Sequence, residues 1–215
     1  RHIALWQSHG FYYEPKLNRW EWQRARCLQT VEDLYTQSFV LPYLVPMLEN
    51  AGANVLLPRE RDCQTAEIII DNDGCLNTNS TYTEHTADKV WRQGTGKGFA
   101  HLRPQYIDFE NPFKEGTFRI AETVKKGKES TAEWIPEIPQ NGQYAVYVSY
   151  QTVPNSSDDA LYTVYHKGGV SQFKVNQKMG GGTWVYLGTF GFDAGKSNAC
   201  KVTLSNRSAK AGQTV

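Results

Sequence analysis

The sequence predicts an α/β fold with an incomplete parallel sheet over residues 1–74, followed by an all-β sandwich of jelly-roll type over residues 75–215. Three observations predict this. Helical periodicity lies between two short apolar strands in the first part, it stops near residue 75, and the C-terminal part alternates with period two between clusters of turn residues.

In order along the chain, Ile3-Ala4-Leu5-Trp6 reads as the first strand and Asn54-Val55-Leu56-Leu57 as the second. Between them Val31, Leu34, Tyr35 and Ser38, then Leu41, Leu44, Val45 and Leu48, keep the i, i+3, i+4, i+7 spacing of an amphipathic helix. Pro42 and Pro46 interrupt it, which predicts a kink or two consecutive helices. Asn50-Ala51-Gly52 supplies the stop, with glycine suited to a left-handed cap. Strand, helix, strand is a βαβ unit and implies parallel pairing. Glu67-Ile68-Ile69-Ile70-Asp71 reads as a third strand of that sheet. The change of character falls in the loop at 73–80, and Asp71-Asn72-Asp73-Gly74 suits the insertion of one domain into another.

Gly94 to Gly98 reads as a loop. Strands are then predicted at 143–151, 161–166, 170–175, 183–190 and 200–204, separated by clusters such as Asn155-Ser156-Ser157-Asp158 and Gly180-Gly181-Gly182. In the first of these strands Tyr144, Val146, Val148 and Tyr150 share one face. Tyr162 and Tyr165 fall on opposite faces of the second.

The 215 residues carry 23 basic and 22 acidic side chains, a net charge of +1. No basic field exists to attract nucleic acid or an anionic membrane, and no apolar run reaches membrane-spanning length. These features and a mean hydropathy of −0.56 describe a soluble protein. Aromatic residues make up 13% of the chain, including 12 tyrosines and 6 tryptophans, side chains that serve both cores and flat sugar-binding surfaces. The abrupt start at Arg1-His2-Ile3 and abrupt finish at Gly212-Gln213-Thr214-Val215 lead us to expect a segment of a longer protein. Cys27, Cys63, Cys75 and Cys200 lack the CxxC spacing of metal sites. Cys63 and Cys75 are close enough in sequence to be bridged in an exported protein, and four free thiols fit the sequence equally well.

In an open α/β sheet, ligands sit beyond the carboxyl ends of the strands. His9, directly after the first strand, is placed there, and Arg59 and Asp62 follow the second strand on the same rim. Glu32 opens the intervening helix. Imidazole and carboxylate are zinc donors, and a catalytic zinc needs a third protein donor and a water. On position alone, the alternatives are a hydrogen-bonded loop histidine and an ion-paired helix face, with Glu32-Asp33 beside Arg24 and Arg26.

Residues Ile3 to Gly10 resemble the opening strand and His-Gly turn of zinc-dependent N-acetylmuramoyl-L-alanine amidases. Glu32 resembles the Glu ligand at the head of that family's first helix, and Arg59 with Asp62 the Arg and acidic residue closing its second strand. The resemblance implies His9 and Glu32 as zinc ligands, Arg59 as a substrate-binding residue and peptidoglycan as substrate. The family's second His ligand and its catalytic Glu have no counterpart here. Phe11-Tyr12-Tyr13-Glu14 and Trp20-Glu21-Trp22 stand where its Asp- and Gly-rich loop would be. The chain alone is therefore expected to be inactive.

The segments Trp134-Ile135-Pro136, Gly142 to Tyr150, Ala160 to His166, Asn176-Gln177 and Gly182 to Phe190 resemble the golvesin C-terminal and xanthan-lyase carbohydrate-binding-like module. The resemblance covers about Thr131 to Val215, with Trp91 to Ile120 contributing first strands. It implies polysaccharide binding and fixes no binding residue. Trp184, Tyr186, Tyr147 and Tyr150 are candidates because sugars stack on exposed aromatic faces; the competing reading makes them core, with Trp184 plugging the sandwich. Together these features lead us to expect a segment of an exported hydrolase, periplasmic, cell-surface or extracellular in a bacterium, acting on cell wall or polysaccharide. The alternatives are a non-catalytic carbohydrate-binding or adhesion protein, or a component of an extracellular assembly in which a further chain covers the α/β half.

Overall fold

The computed structural model describes residues 1–7, 9–28, 30–57, 66–75, 79–101 and 110–215. They fall into two compact units, one of Arg1–Thr65 with Ile107–Asn111, the other of Ala66–Tyr106 with Pro112–Val215.

In the first unit, β1 (His2–Ala4) is followed by a hairpin of β2 (Phe11–Glu14) and β3 (Arg19–Trp22). Helix α1 (Glu32–Phe39), a π turn at Val40–Leu44 and α2 (Val45–Asn50) then lead to β4 (Asn54–Leu56). Strands β1 and β4 pair in parallel, with Ile3 opposite Val55, as a strand–helix–strand unit requires. The π turn contains Pro42, and Pro46 stands in the first turn of α2. Each proline removes a helix donor, which explains two consecutive helices instead of one. Gly52, at φ +84°, closes α2: its N–H donates to the Glu49 carbonyl and that of Ala53 to Leu48, a Schellman pair. Val31, Val40 and Val45 are buried, whereas Trp6, Tyr35, Tyr43, Met47 and Leu56 are exposed.

Residues 67–71, expected as a third strand of the parallel sheet, form no ladder there. Ala66 and Ile68 instead pack into the core of the second unit, and Asp71 bridges to Gly74 in a tight turn. The apolar run was legible, but its partner was not: a buried sandwich core accepts the same residues as a parallel sheet.

The second unit contains β5 (Thr81–His85), β6 (Arg92–Gln93), β7 (Arg119–Ile120), β8 (Thr131–Ile135), β9 (Glu137–Ile138), β10 (Gly142–Val148), β11 (Ala160–His166), β12 (Gly169–Val175), β13 (Val185–Phe192), β14 (Gly195–Lys196) and β15 (Lys201–Ser205). A five-stranded antiparallel sheet runs in the order β12-β11-β15-β8-β5, and β10 pairs with β13 as a separate ribbon. Inward residues of the two layers meet in two clusters. Val148, Val185 and Leu187 from the ribbon join Ala132, Ala160, Tyr162 and Leu204 from the sheet, and Tyr144 and Phe192 join Val164 and Val202. This is the β-sandwich that the alternating pattern predicted. The Gln177 side-chain amide donates to the Tyr162 hydroxyl at 3.0 Å, so this deeply buried phenol is satisfied. Cys27, Cys75 and Cys200 are free thiols, and Cys63 lies outside the described residues.

Candidate functional site

The β10–β13 ribbon turns its aromatic side chains two ways. Tyr144, Val146 and Val148 face the core, so Gln143, Ala145 and Tyr147 face outward, and the register brings Tyr147 opposite Tyr186. The ladder shifts between Val146 and Tyr147 because Leu187 is an extra residue in β13. That bulge keeps Leu187 in the core while Tyr186 stays outside. The two tyrosine rings lie 5.3 Å apart at 48°, and the Tyr186 hydroxyl is 2.8 Å from the Thr189 hydroxyl. Trp184 immediately precedes β13, two residues before Tyr186.

Trp184 belongs to neither core cluster. Its ring makes edge contacts with buried Phe99 at 4.8 Å and Phe113 at 5.9 Å, leaving the indole 38% exposed. The expected plug is therefore a half-exposed ring on an aromatic pedestal, outside the sandwich. The glycines before it permit close approach: a Cβ on Gly181 would stand 2.3 Å from the backbone nitrogen of Thr152. Tyr150 packs against the first core cluster and donates its hydroxyl to the Met179 carbonyl at 2.8 Å, fixing the turn that precedes Trp184. Gln143, Ala145, Tyr147, Trp184, Tyr186 and Thr189 include no carboxylate, amine or guanidinium.

At the head of α1 the helix face decides which carboxylate points inward. Asp33 is fully buried and its Oδ1 accepts the Gly10 N–H at 2.7 Å. Glu32, about 100° round the helix, is exposed and stands 4.0 Å from Arg24. His9 Nδ1 is buried without a hydrogen-bond partner. Among the described residues no group of three or more His, Cys, Asp or Glu could hold a metal ion. Two donors do not make a catalytic zinc site, and no hydrolytic step follows from them. Arg59 lies outside the described residues.

A second feature was not read from the sequence. Beside edge strand β5 is a polar cleft of about 370 Å³ lined by Asn72, Asp73, Tyr82, Glu84, Gln93 and Arg119, with Thr83 and Thr117. Arg119 donates to both Glu84 oxygens, at 2.6 Å and 3.0 Å, and Tyr82 donates to Oε1 at 2.7 Å. Burial works against ionising Glu84, but the Arg119 and Tyr82 hydrogen bonds outweigh it and hold its carboxyl below the usual range. Burial, then the Glu84 bond, pushes the Tyr82 phenol up, so it stays a donor. Asp73 accepts from the Thr117 backbone and hydroxyl, and Asn72 donates to that hydroxyl. The Tyr82, Glu84 alternation was visible in the sequence, but Gln93 and Arg119 reach β5 only through long-range folding of β6 and β7.

Residues 112–215, just under half of the chain, match the family described as the Golvesin C-terminal domain. A xanthan lyase of Bacillus sp. (strain GL1) is 35% identical over 81 residues, which is 38% of this chain and 8% of that protein. The chain thus spans less than a tenth of the length of that curated relative. A solved structure of Paenibacillus xanthan lyase aligns with a TM-score of 0.40 and 22% identity, over 63% of this chain and 12% of the other. The golvesin-like module expected from the sequence is supported by the first two of these, and no helix among the described residues is long and apolar enough to cross a membrane.

Proposed function

We propose that the β-sandwich is a carbohydrate-binding module that stacks a polysaccharide segment on the outer face of β10–β13, through Tyr147, Tyr186 and Trp184. The row of solvent-facing aromatic rings carries this reading: each offers a flat apolar surface to the C–H face of a sugar at small entropic cost. The pedestal of Phe99 and Phe113 holds the indole in place before binding, which lowers the cost of ordering it. Tyr150 serves by positioning the turn beneath Trp184. A module of this kind fits an exported protein that acts on, or adheres to, polysaccharide, in line with the similarity to xanthan lyase. Affinity electrophoresis in gels containing xanthan, or separately peptidoglycan fragments, tests it. Retardation reduced about tenfold in affinity by Tyr186→Ala or Trp184→Ala, with the fold retained, is the expected result. Equal migration of wild type and both variants would overturn it.

A second, narrower reading makes His9 a zinc donor without Glu32, which is exposed beside Arg24 while Asp33 takes the inward position. The unpartnered His9 Nδ1 favours it. Zinc titration followed by the His9 ring resonances should show weak binding that His9→Ala abolishes; binding unaffected by that substitution removes His9 from consideration. The amidase activity of the resembling family would need further donors and a catalytic Glu. The exposed apolar side chains of α1, the π turn and β4 favour additional polypeptide completing this half, a parallel sheet being stable when both faces are covered. Monodisperse monomer with no binding of a hydrophobic dye would count against that.

A further inference from the structure

We propose that the polar cleft beside β5 is a second saccharide site, specific for an uncharged, hydroxyl-rich sugar unit. The cleft volume of about 370 Å³ is at the small end of ligand pockets, room for a single sugar unit and not a stretch of polymer. Its lining is mostly polar, so its occupant must exchange water for hydrogen bonds more than for apolar burial.

The hydrogen-bonding groups are of two kinds. Some are committed to the fold: Arg119 Nε and Nη2 and the Tyr82 hydroxyl hold Glu84, and Thr117 with Asn72 holds the Asp73 loop. Others have capacity to spare. The exposed Gln93 carboxamide makes no hydrogen bond among the described residues, and Arg119 has Nη1 left over once Glu84 is bound. Glu84 and Asp73 each keep unused lone pairs beside these donors. Donors and acceptors interleaved within one small cleft match neighbouring hydroxyls, each of which both gives and accepts. The fixed ion pair also means that binding need not reorganise the cleft.

Charge decides the class of sugar. Arg119 is neutralised by Glu84, leaving Asp73 as uncompensated negative charge, so a uronic acid would enter against repulsion. The cleft and the aromatic face use different residues, and either can fail without the other.

The test is nitrogen-15 NMR of the whole chain titrated with an uncharged glucose oligosaccharide, its oligouronate counterpart serving as control. The Gln93 side-chain amide and Arg119 Nε–H resonances should shift and saturate. They should shift likewise in a Trp184→Ala/Tyr186→Ala double variant, which removes the aromatic face. Gln93→Trp, at an exposed position of a two-residue strand, fills the cleft and should weaken the Arg119 response about tenfold or more. The proposal is overturned if those resonances stay still in the wild type, respond equally in Gln93→Trp, lose their response in the double variant, or follow the uronate as strongly. Binding at the aromatic face with a silent cleft sinks this inference alone; a responsive cleft with no effect of the double variant on affinity sinks the aromatic reading alone.

Discussion

Removing the charge of Asp71 should stabilise the second unit in a strictly pH-dependent way. The Asp71 Oδ1 accepts the Asp73 N–H at 3.1 Å at the start of the Asp71–Gly74 turn. Burial pushes its carboxyl from 3.8 up to about 7; the backbone hydrogen bond from Asp73 opposes this and the Asp73 charge adds to it. In the unfolded chain the group titrates near the ordinary aspartate value, about 3.9. Between about pH 4 and 7 the folded protein therefore holds a proton that the unfolded chain has released, and stability falls as pH rises through that window. Some three pH units at about 1.36 kcal/mol each give a loss of about 4 kcal/mol by pH 8. Asp71→Asn keeps the acceptor oxygen and removes the ionisation. It should match the wild type near pH 4 and exceed it by up to about 4 kcal/mol at pH 8, roughly 10 °C in Tm for a unit of this size. Glu84, Asp158 and Asp159 have lowered values and pull the other way, so the informative quantity is the difference between variant and wild type. Urea unfolding followed by tryptophan fluorescence across that pH range measures it. A difference that does not change between pH 4 and 8 would refute the reasoning, whatever its size.

Three further outcomes are expected. Tyr162→Phe leaves the buried Gln177 amide without its acceptor and should cost about 1–3 kcal/mol in denaturant unfolding, with the fold unchanged by circular dichroism. Gly116→Ala places a Cβ 2.0 Å from the Phe99 carbonyl oxygen and 2.6 Å from Asp73 Oδ2, so the Gly98–Gly116 bridge must open; weakened glycan binding and a red-shifted tryptophan emission should report the loss of Trp184's pedestal. Because Tyr147, Trp184 and Tyr186 are uncharged stacking surfaces, raising salt from about 0.05 to about 0.5 M should change glycan affinity less than about twofold by isothermal titration.

The strands of the sandwich were legible because each obeys a local rule. The five predicted at 143–151, 161–166, 170–175, 183–190 and 200–204 correspond to β10, β11, β12, β13 and β15, within a few residues at each end. Alternation fixes faces as well as extents, which is why Tyr162 is buried and Tyr165 is not. The misreadings arise where a side chain's partner is far away in sequence. Ile68 looks the same whether it lies in a parallel sheet or in the sandwich core. Strands β5 and β8 were not singled out as strands, since Thr81–His85 and Thr131–Ile135 are short and carry Glu84 and Glu133 on their pleats. Glu84 is tolerated only because Arg119, 35 residues on, returns to pair with it. The sequence could not divide the aromatic candidates by orientation: Tyr150 is held inward by a carbonyl at Met179, and the bulge at Leu187 turns Tyr186 outward.

In the N-terminal half one residue separates two functional readings. A helix rotates about 100° per residue, so Glu32 and Asp33 cannot both face the His9-Gly10 turn. Asp33 takes the inward position, and its buried carboxylate captures the Gly10 N–H, a charge-assisted bond that pins the strand-to-hairpin turn to the helix. That bond accounts for an acidic residue at the head of α1 without any metal. Asp33→Asn should therefore loosen the turn and destabilise the first unit, while Glu32→Gln, with only Arg24 4.0 Å away in solvent, should leave stability within about 0.5 kcal/mol. If Glu32→Gln proved as costly as Asp33→Asn, the inward role assigned to Asp33 would be wrong, and Glu32 would have to hold something beyond an exposed arginine.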